Sequence, residues 1–163
     1  MDYFEKGRGN FWYSTKYRDL MNSLRHMDGM DKIEGADLYQ GIGHVLVMAA
    51  AIGLSKGLSE PVDTGQKNRN DVFIGGWNNG NLHGQPLAFW AALIVWLEKG
   101  DEDAPILKPE NDPELCDKFN ELAMGGLAYL RKKQFSSGGT DITGYTVIND
   151  ELSAAILKLK NKK

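Results

Sequence analysis

The chain predicts an all-α fold: a single compact domain of about five helices with one long irregular loop. Three observations lead there. The segments "HVLVMAAAIGL" and "PLAFWAALIVWLEKG" are apolar almost all the way round, as central helices are. Flanking segments repeat apolar residues at three- and four-residue spacing, the mark of helices with one buried face. The remainder is dense in glycine, proline, asparagine and charge. One short run there, Val72, Phe73 and Ile74, reads as a brief strand, and the rest of the sequence hardly offers it a partner.

Residues 1–15 form an aromatic arm in which Phe11, Trp12 and Tyr13 cluster without a clear period. Such a cluster serves either the domain's own core or an interface. A first helix is predicted from Lys16 to Met27, with Tyr17, Leu20, Met21, Leu24 and Met27 on one face, and "HMDGMDKIEG" breaks it. Asp37 is the expected cap of a second helix that carries Leu38, Ile42, Val45, Leu46, Met48, Ala49, Ile52 and Leu54. Gly41, Gly43 and Gly53 each cost it up to ~1 kcal/mol against alanine, and the expected compensation is close approach of a neighbouring element. Gly57 is the expected stop, and Pro61 prevents continuation.

The long loop follows and ends at Pro86, which suits the first turn of a third helix closed by Gly100. Beyond an acidic connection with three prolines, Asp112 or Pro113 opens a fourth helix. Leu115, Phe119, Leu122, Ala123, Gly126, Leu127 and Leu130 share its buried face. Residues 134–148 read as a flexible linker. Residues 149–163 read as a C-terminal helix whose lysine-rich end suits the helix dipole. Together these make one domain over 1–163, long enough to bury roughly two-thirds of its unfolded surface.

The chemistry is sparser. A net charge of −3 argues against a chain-wide electrostatic grip on nucleic acid. Basic elements remain: Arg131, Lys132 and Lys133 in "RKKQF", then "GQKNRN", then the C-terminal "KLKNKK". The first three are the candidate phosphate contacts. Cys116 is the only cysteine, and its neighbours Glu114 and Asp117 disfavour a thiolate. His44 beside an apolar run reads as a core histidine. The loop "GGWNNGNLHG" either forms a structured turn or presents Trp77, Asn78 and His83 to a partner. Zinc-protease, calcium-loop, nucleophile-elbow and phosphate-loop patterns do not occur, so no catalytic residue, metal ligand or cofactor is assigned. The first residues lack a signal-peptide pattern, and the longest apolar run is about half a membrane span. A soluble, cytoplasmic protein with no membrane contact is expected.

"HVLVMAAAIGLSKGLSEPVD" and "DKFNELAMGGLAYLRKK" together resemble the small accessory proteins called Dnd system-associated protein 4, which accompany bacterial DNA phosphorothioation and phage-defence loci. The matching positions are Ala49, Ala50, Gly53 and Pro61, then Phe119, Ala123, Gly126 and Leu127, within a resemblance over residues 17–133. These are packing motifs, and the asparagine- and glycine-rich loop departs from the family pattern. The departure points equally to a small subunit of a Lamassu-type complex with an SMC-like ATPase and a nuclease. The resemblance implies a non-enzymatic scaffolding subunit of an antiphage complex, with larger protein subunits as partners and indirect contact with DNA. Trp12, Tyr13, Trp77, Asn78 and His83 are then the expected partner-binding residues, since Trp and Tyr commonly anchor interfaces. A small nucleic-acid-binding regulator acting through Arg131, Lys132 and Lys133 is the alternative.

Overall fold

The computed structural model describes residues 10–25, 41–61, 68–72, 77, 81, 82, 84–100 and 106–136. Four α-helices stand among them: α1 (Arg18–Arg25), α2 (Ile42–Lys56), α3 (Leu87–Lys99) and α4 (Asp112–Ser136). Two short antiparallel pairs accompany the helices, β1 (Phe11–Ser14) with β2 (Arg69–Val72) and β3 (Asn81–Leu82) with β4 (Gln85–Pro86). The fold is therefore mostly helical rather than all-α, and four helices rather than five are described. The helix expected over 149–163 lies outside the described residues, as does the Asp37 cap.

The centre is α2. It packs against α4, α3 and α1, and Val45, Leu46, Ala49 and Ala50 are almost fully buried. Its glycines explain how. A Cβ built on Gly53 would lie 2.1 Å from the Leu122 carbonyl oxygen of α4, and one on Gly126 of α4 would lie 1.8 Å from the Ala49 carbonyl oxygen of α2. No side chain fits at either place, so the two backbones meet directly, as they do where small residues line a helix crossing. The close approach expected for Gly53 is what occupies it.

The helix ends follow their punctuation. Gly57 takes φ +64°, and the Leu58 N–H bonds back to the Gly53 carbonyl at 2.8 Å, which closes α2. Gly100 closes α3, its N–H donating to the Trp96 carbonyl at 2.8 Å. Pro86 sits one residue before α3, at its cap with ψ 149°, rather than inside its first turn. The first helix begins as a tight turn at Thr15–Tyr17 and becomes α-helical at Arg18. Tyr17, Leu20, Met21 and Leu24 form its buried face. The last helix runs through Ser136, so residues 134–136, read as the start of a linker, belong to α4.

The aromatic arm is the partner that the strand lacked. Phe11 pairs with Val72, and Ser14 with Arg69, so β2 begins upstream of the apolar run that signalled it and takes in its first residue, Val72; Phe73 and Ile74 lie outside the described residues. All four β1 residues are buried, which removes the alternation by which a half-buried strand is recognised. The outer edge of β1 is sealed by α4. Fully buried Asn120 accepts the Trp12 N–H at 3.2 Å and donates its side-chain amide to the Asn10 carbonyl at 3.0 Å. One turn further along, Met124 Sδ receives the Ser14 N–H at 3.3 Å.

Substituting Gly126 by Ala forces α2 and α4 apart against backbone, beyond what side-chain repacking relieves. The expected loss is about 3 kcal/mol or more, against roughly 1 kcal/mol for Gly57→Ala, where the space is open and only the left-handed backbone resists. Thermal melting of the two variants checks the ranking.

Candidate functional site

The three aromatics expected at an interface are core residues instead. Trp12 and Trp77 are each 1% exposed and Tyr13 6%. Trp77 stacks on Phe11 with ring centroids 4.0 Å apart, and both rings meet Phe119 of α4 edge-on at 5.3 Å. Aromatic contacts of this kind add about 0.5–1.5 kcal/mol each beyond burial, so the rings serve the chain's own stability. Trp12, Tyr13 and Trp77, expected at a partner interface, stand within the chain's own core. Asn78 and His83 lie outside the described residues. Of the same stretch, β3 and β4 pair antiparallel, Gly84 adopts φ +80°, and Trp90 of α3 donates its indole N–H to the Leu82 carbonyl at 2.8 Å.

Among the described residues, two surfaces are shaped for contact with other molecules. The first is an apolar cleft of about 270 Å³ between α3 and the start of α4. Phe89, Leu93 and Trp96 come from α3, at positions that recur along one side of a helix, and Leu107 and Leu115 come from the opposite wall. Leu97 and Leu107 are the most exposed large apolar side chains described, at 57% and 45%. The ion pairs Lys99–Glu114 at 3.5 Å and Lys118–Glu98 at 3.1 Å tie the same two helices together.

The second is a groove of about 760 Å³ along the C-terminal half of α4. After Gly57 the chain turns back over α4. The Leu58 carbonyl oxygen lies 2.5 Å from where a Gly125 Cβ would stand, and the Glu60 N–H donates to the Glu121 carbonyl at 3.0 Å. Gly125 thus lets the segment lie flat and form one wall. Lys56 stands at the α2 end, while Tyr129, Lys132 and Lys133 rise from α4. The Lys56 and Lys133 ammonium groups lie 5.1 and 5.6 Å from the Tyr129 ring centroid. Glu60 also lines the groove, but its carboxylate is engaged by the Lys16 ammonium and by the Tyr17 hydroxyl at 2.6 Å.

The predicted basic trio is divided by helix geometry. Successive helical residues point about 100° apart, so Arg131 turns away from its neighbours toward α1. There it pairs with Asp19 at 2.5 Å and lies 5.5 Å from the Tyr17 ring centroid. Burial works against the Asp19 carboxylate, but hydrogen bonding and charge from Arg131 outweigh it and hold the carboxyl below its usual range. Burial raises the Tyr17 hydroxyl, partly offset by Arg131. Lys132 and Lys133 stay exposed. Lys56 and Tyr129, which complete the groove, were not singled out by their sequence context.

Burial, together with the charges of Asp112 and Asp117, pushes the Cys116 thiol up to about 12, so the thiol stays protonated at neutral pH. The thiolate is disfavoured as predicted, with Asp112 acting where Glu114 was expected. His44 is half-buried in the first turn of α2. Among the described residues no cluster of three histidine, cysteine or acidic side chains is placed to hold a metal ion. No described helix is long and apolar enough to cross a membrane. Comparison of the chain with protein-family models, with curated proteins and with solved structures gives no match.

Burial and the nearby Glu121 charge raise the Asp117 carboxyl, and Arg69 only partly compensates. A carboxylate raised in the folded state costs stability above its folded pKa and nothing below its unfolded one. Asp117→Asn is therefore expected to raise Tm at pH 7, with the gain shrinking as pH falls through the carboxylate range. Melting curves from pH 7 down to about pH 3 check this.

Proposed function

We propose that the protein is a non-enzymatic accessory subunit of a bacterial antiphage defence complex, a helical body that docks onto a larger ATPase or nuclease subunit through α3. The observation that carries this reading is the apolar strip on α3, whose Phe89, Leu93 and Trp96 line a cleft with exposed Leu107, and which continues in Leu97, 57% exposed and next in sequence to Trp96. Single exposed leucines are ordinary on protein surfaces. A row at Phe89, Leu93 and Trp96 facing a cleft is different, because it repeats at the spacing by which helix-in-groove contacts are read.

The occupant that fits is an amphipathic helix of the larger subunit. Its apolar side chains enter the cleft, and its polar ones meet the Lys99–Glu114 and Lys118–Glu98 pairs that bridge the same two helices. Phe89 and Trp96 supply large contact area there. The interface role first given to Trp12, Tyr13 and Trp77 passes to these residues. The antiphage setting itself rests on the likeness of the Ala49–Gly53 and Phe119–Leu127 segments to Dnd system-associated protein 4.

Co-expressed with the products of neighbouring genes, the chain is expected to elute with a larger subunit. The double variant Leu97→Glu, Leu107→Glu is expected to weaken that complex by about 2 kcal/mol or more, roughly 30-fold. Both side chains are exposed, so Tm should change little. A chain that elutes alone, or a complex indifferent to both substitutions, removes the proposal.

A further inference from the structure

We propose that the groove between the α2 C-terminus and α4 binds nucleotide units with an unpaired base, the base stacking on Tyr129 and the phosphates meeting Lys56, Lys132 and Lys133. This is independent of docking through α3, which uses other residues.

The first argument is charge. The chain carries a net −3, yet three lysines line this one groove. Glu60, the acidic side chain in its lining, is neutralised by Lys16 and hydrogen-bonded by Tyr17. The groove is thus locally positive on an acidic protein, and an anion is the ligand class it attracts.

The second argument is the ring. Tyr129 is half-buried at the groove, with two lysine ammonium groups close to it. A cation over an exposed ring is worth only about 2- to 5-fold in an equilibrium, whereas a base stacked on an aromatic side chain is worth roughly 5- to 150-fold. A base that takes the ring therefore displaces a weaker contact, with the lysine ammonium groups close enough to meet its phosphate. Gly125 keeps the neighbouring wall low, since a side chain there would strike the Leu58 carbonyl.

Stacking also selects the form of the ligand. Bases inside a duplex have both faces covered by their neighbours, so a duplex offers phosphate but no base to Tyr129. The ligand is a single strand or a free nucleotide, which share the same chemistry.

The test is fluorescence anisotropy of a labelled oligo-dT of about 15 nucleotides, titrated with the full chain between about 50 and 200 mM salt. Three phosphate contacts on a single strand predict a slope of log K against log salt of about −2, falling to about −0.7 in Lys132→Ala, Lys133→Ala. Tyr129→Ala is expected to weaken binding roughly 5- to 150-fold with the slope unchanged, and Tyr129→Trp to restore it. Arg131→Ala should leave the slope as it was, because Arg131 faces α1. Far-UV circular dichroism and melting of each variant separate lost binding from lost fold. Competition by unlabelled mononucleotide at millimolar concentration assigns the site to free nucleotides, and its failure assigns it to a strand. Absence of binding at the lowest salt overturns the proposal. So does a slope indifferent to the lysine substitutions, or a duplex bound as tightly as the strand.

Discussion

The structure depends on two helices touching backbone to backbone. Gly53 of α2 leaves room for the Leu122 carbonyl, and Gly126 of α4 leaves room for the Ala49 carbonyl. The contact is reciprocal, each helix supplying a glycine to the other's main chain. Each glycine costs its helix up to about 1 kcal/mol of propensity. The offset is closer packing along the whole line of contact, which brings Ala50, Leu46, Ala123 and Leu127 into a core that admits almost no solvent. Once α2 is fixed against α4, the rest has places to go: α3 on another side of α2, α1 on a third, and β1 along α4.

The same approach shapes the basic groove. Because α2 ends against α4 at Gly57, the following residues must run over α4, and Gly125 lets them do so at backbone distance. Consecutive glycines at 125 and 126 therefore serve two different neighbours, the Leu58–Ser59 wall and the α2 backbone. Asn120 completes the arrangement on the β1 side. It accepts the Trp12 N–H, a buried strand-edge group that would cost about 1–3 kcal/mol if left unpaired, and it donates to the carbonyl of Asn10 just before the strand.

Much of the helical framework was legible in sequence because its signals are local. The all-round apolar character of α2 and α3, the Gly57 and Gly100 stops, and the face running from Leu115 to Leu130 are properties of contiguous residues. The tight approach at Gly53 could be inferred from the cost of a helical glycine. The strand β1 could not, since its pairing partner lies far along the chain and burial on both faces erases the two-residue alternation. Trp77 misled for a related reason. Its neighbours are asparagine and glycine, which signal an exposed loop, while the ring it stacks on, Phe11, comes from near the start of the sequence. "RKK" reads as one basic patch in a line of letters, but on a helix Arg131 faces α1 while Lys132 and Lys133 line the groove. Lys56 joins them only because the packing of α2 on α4 brings the end of α2 to the groove.

Native-state hydrogen exchange tests the helix contact most directly. If the α2–α4 crossing is the keystone, the amides of Ala50–Gly53 and Leu122–Gly126 exchange only with global unfolding. Their opening free energy then equals the stability measured by denaturation. Exchange of those amides through a local opening, while α3 or the β1–β2 pair stays protected, would show that the fold is organised around something else.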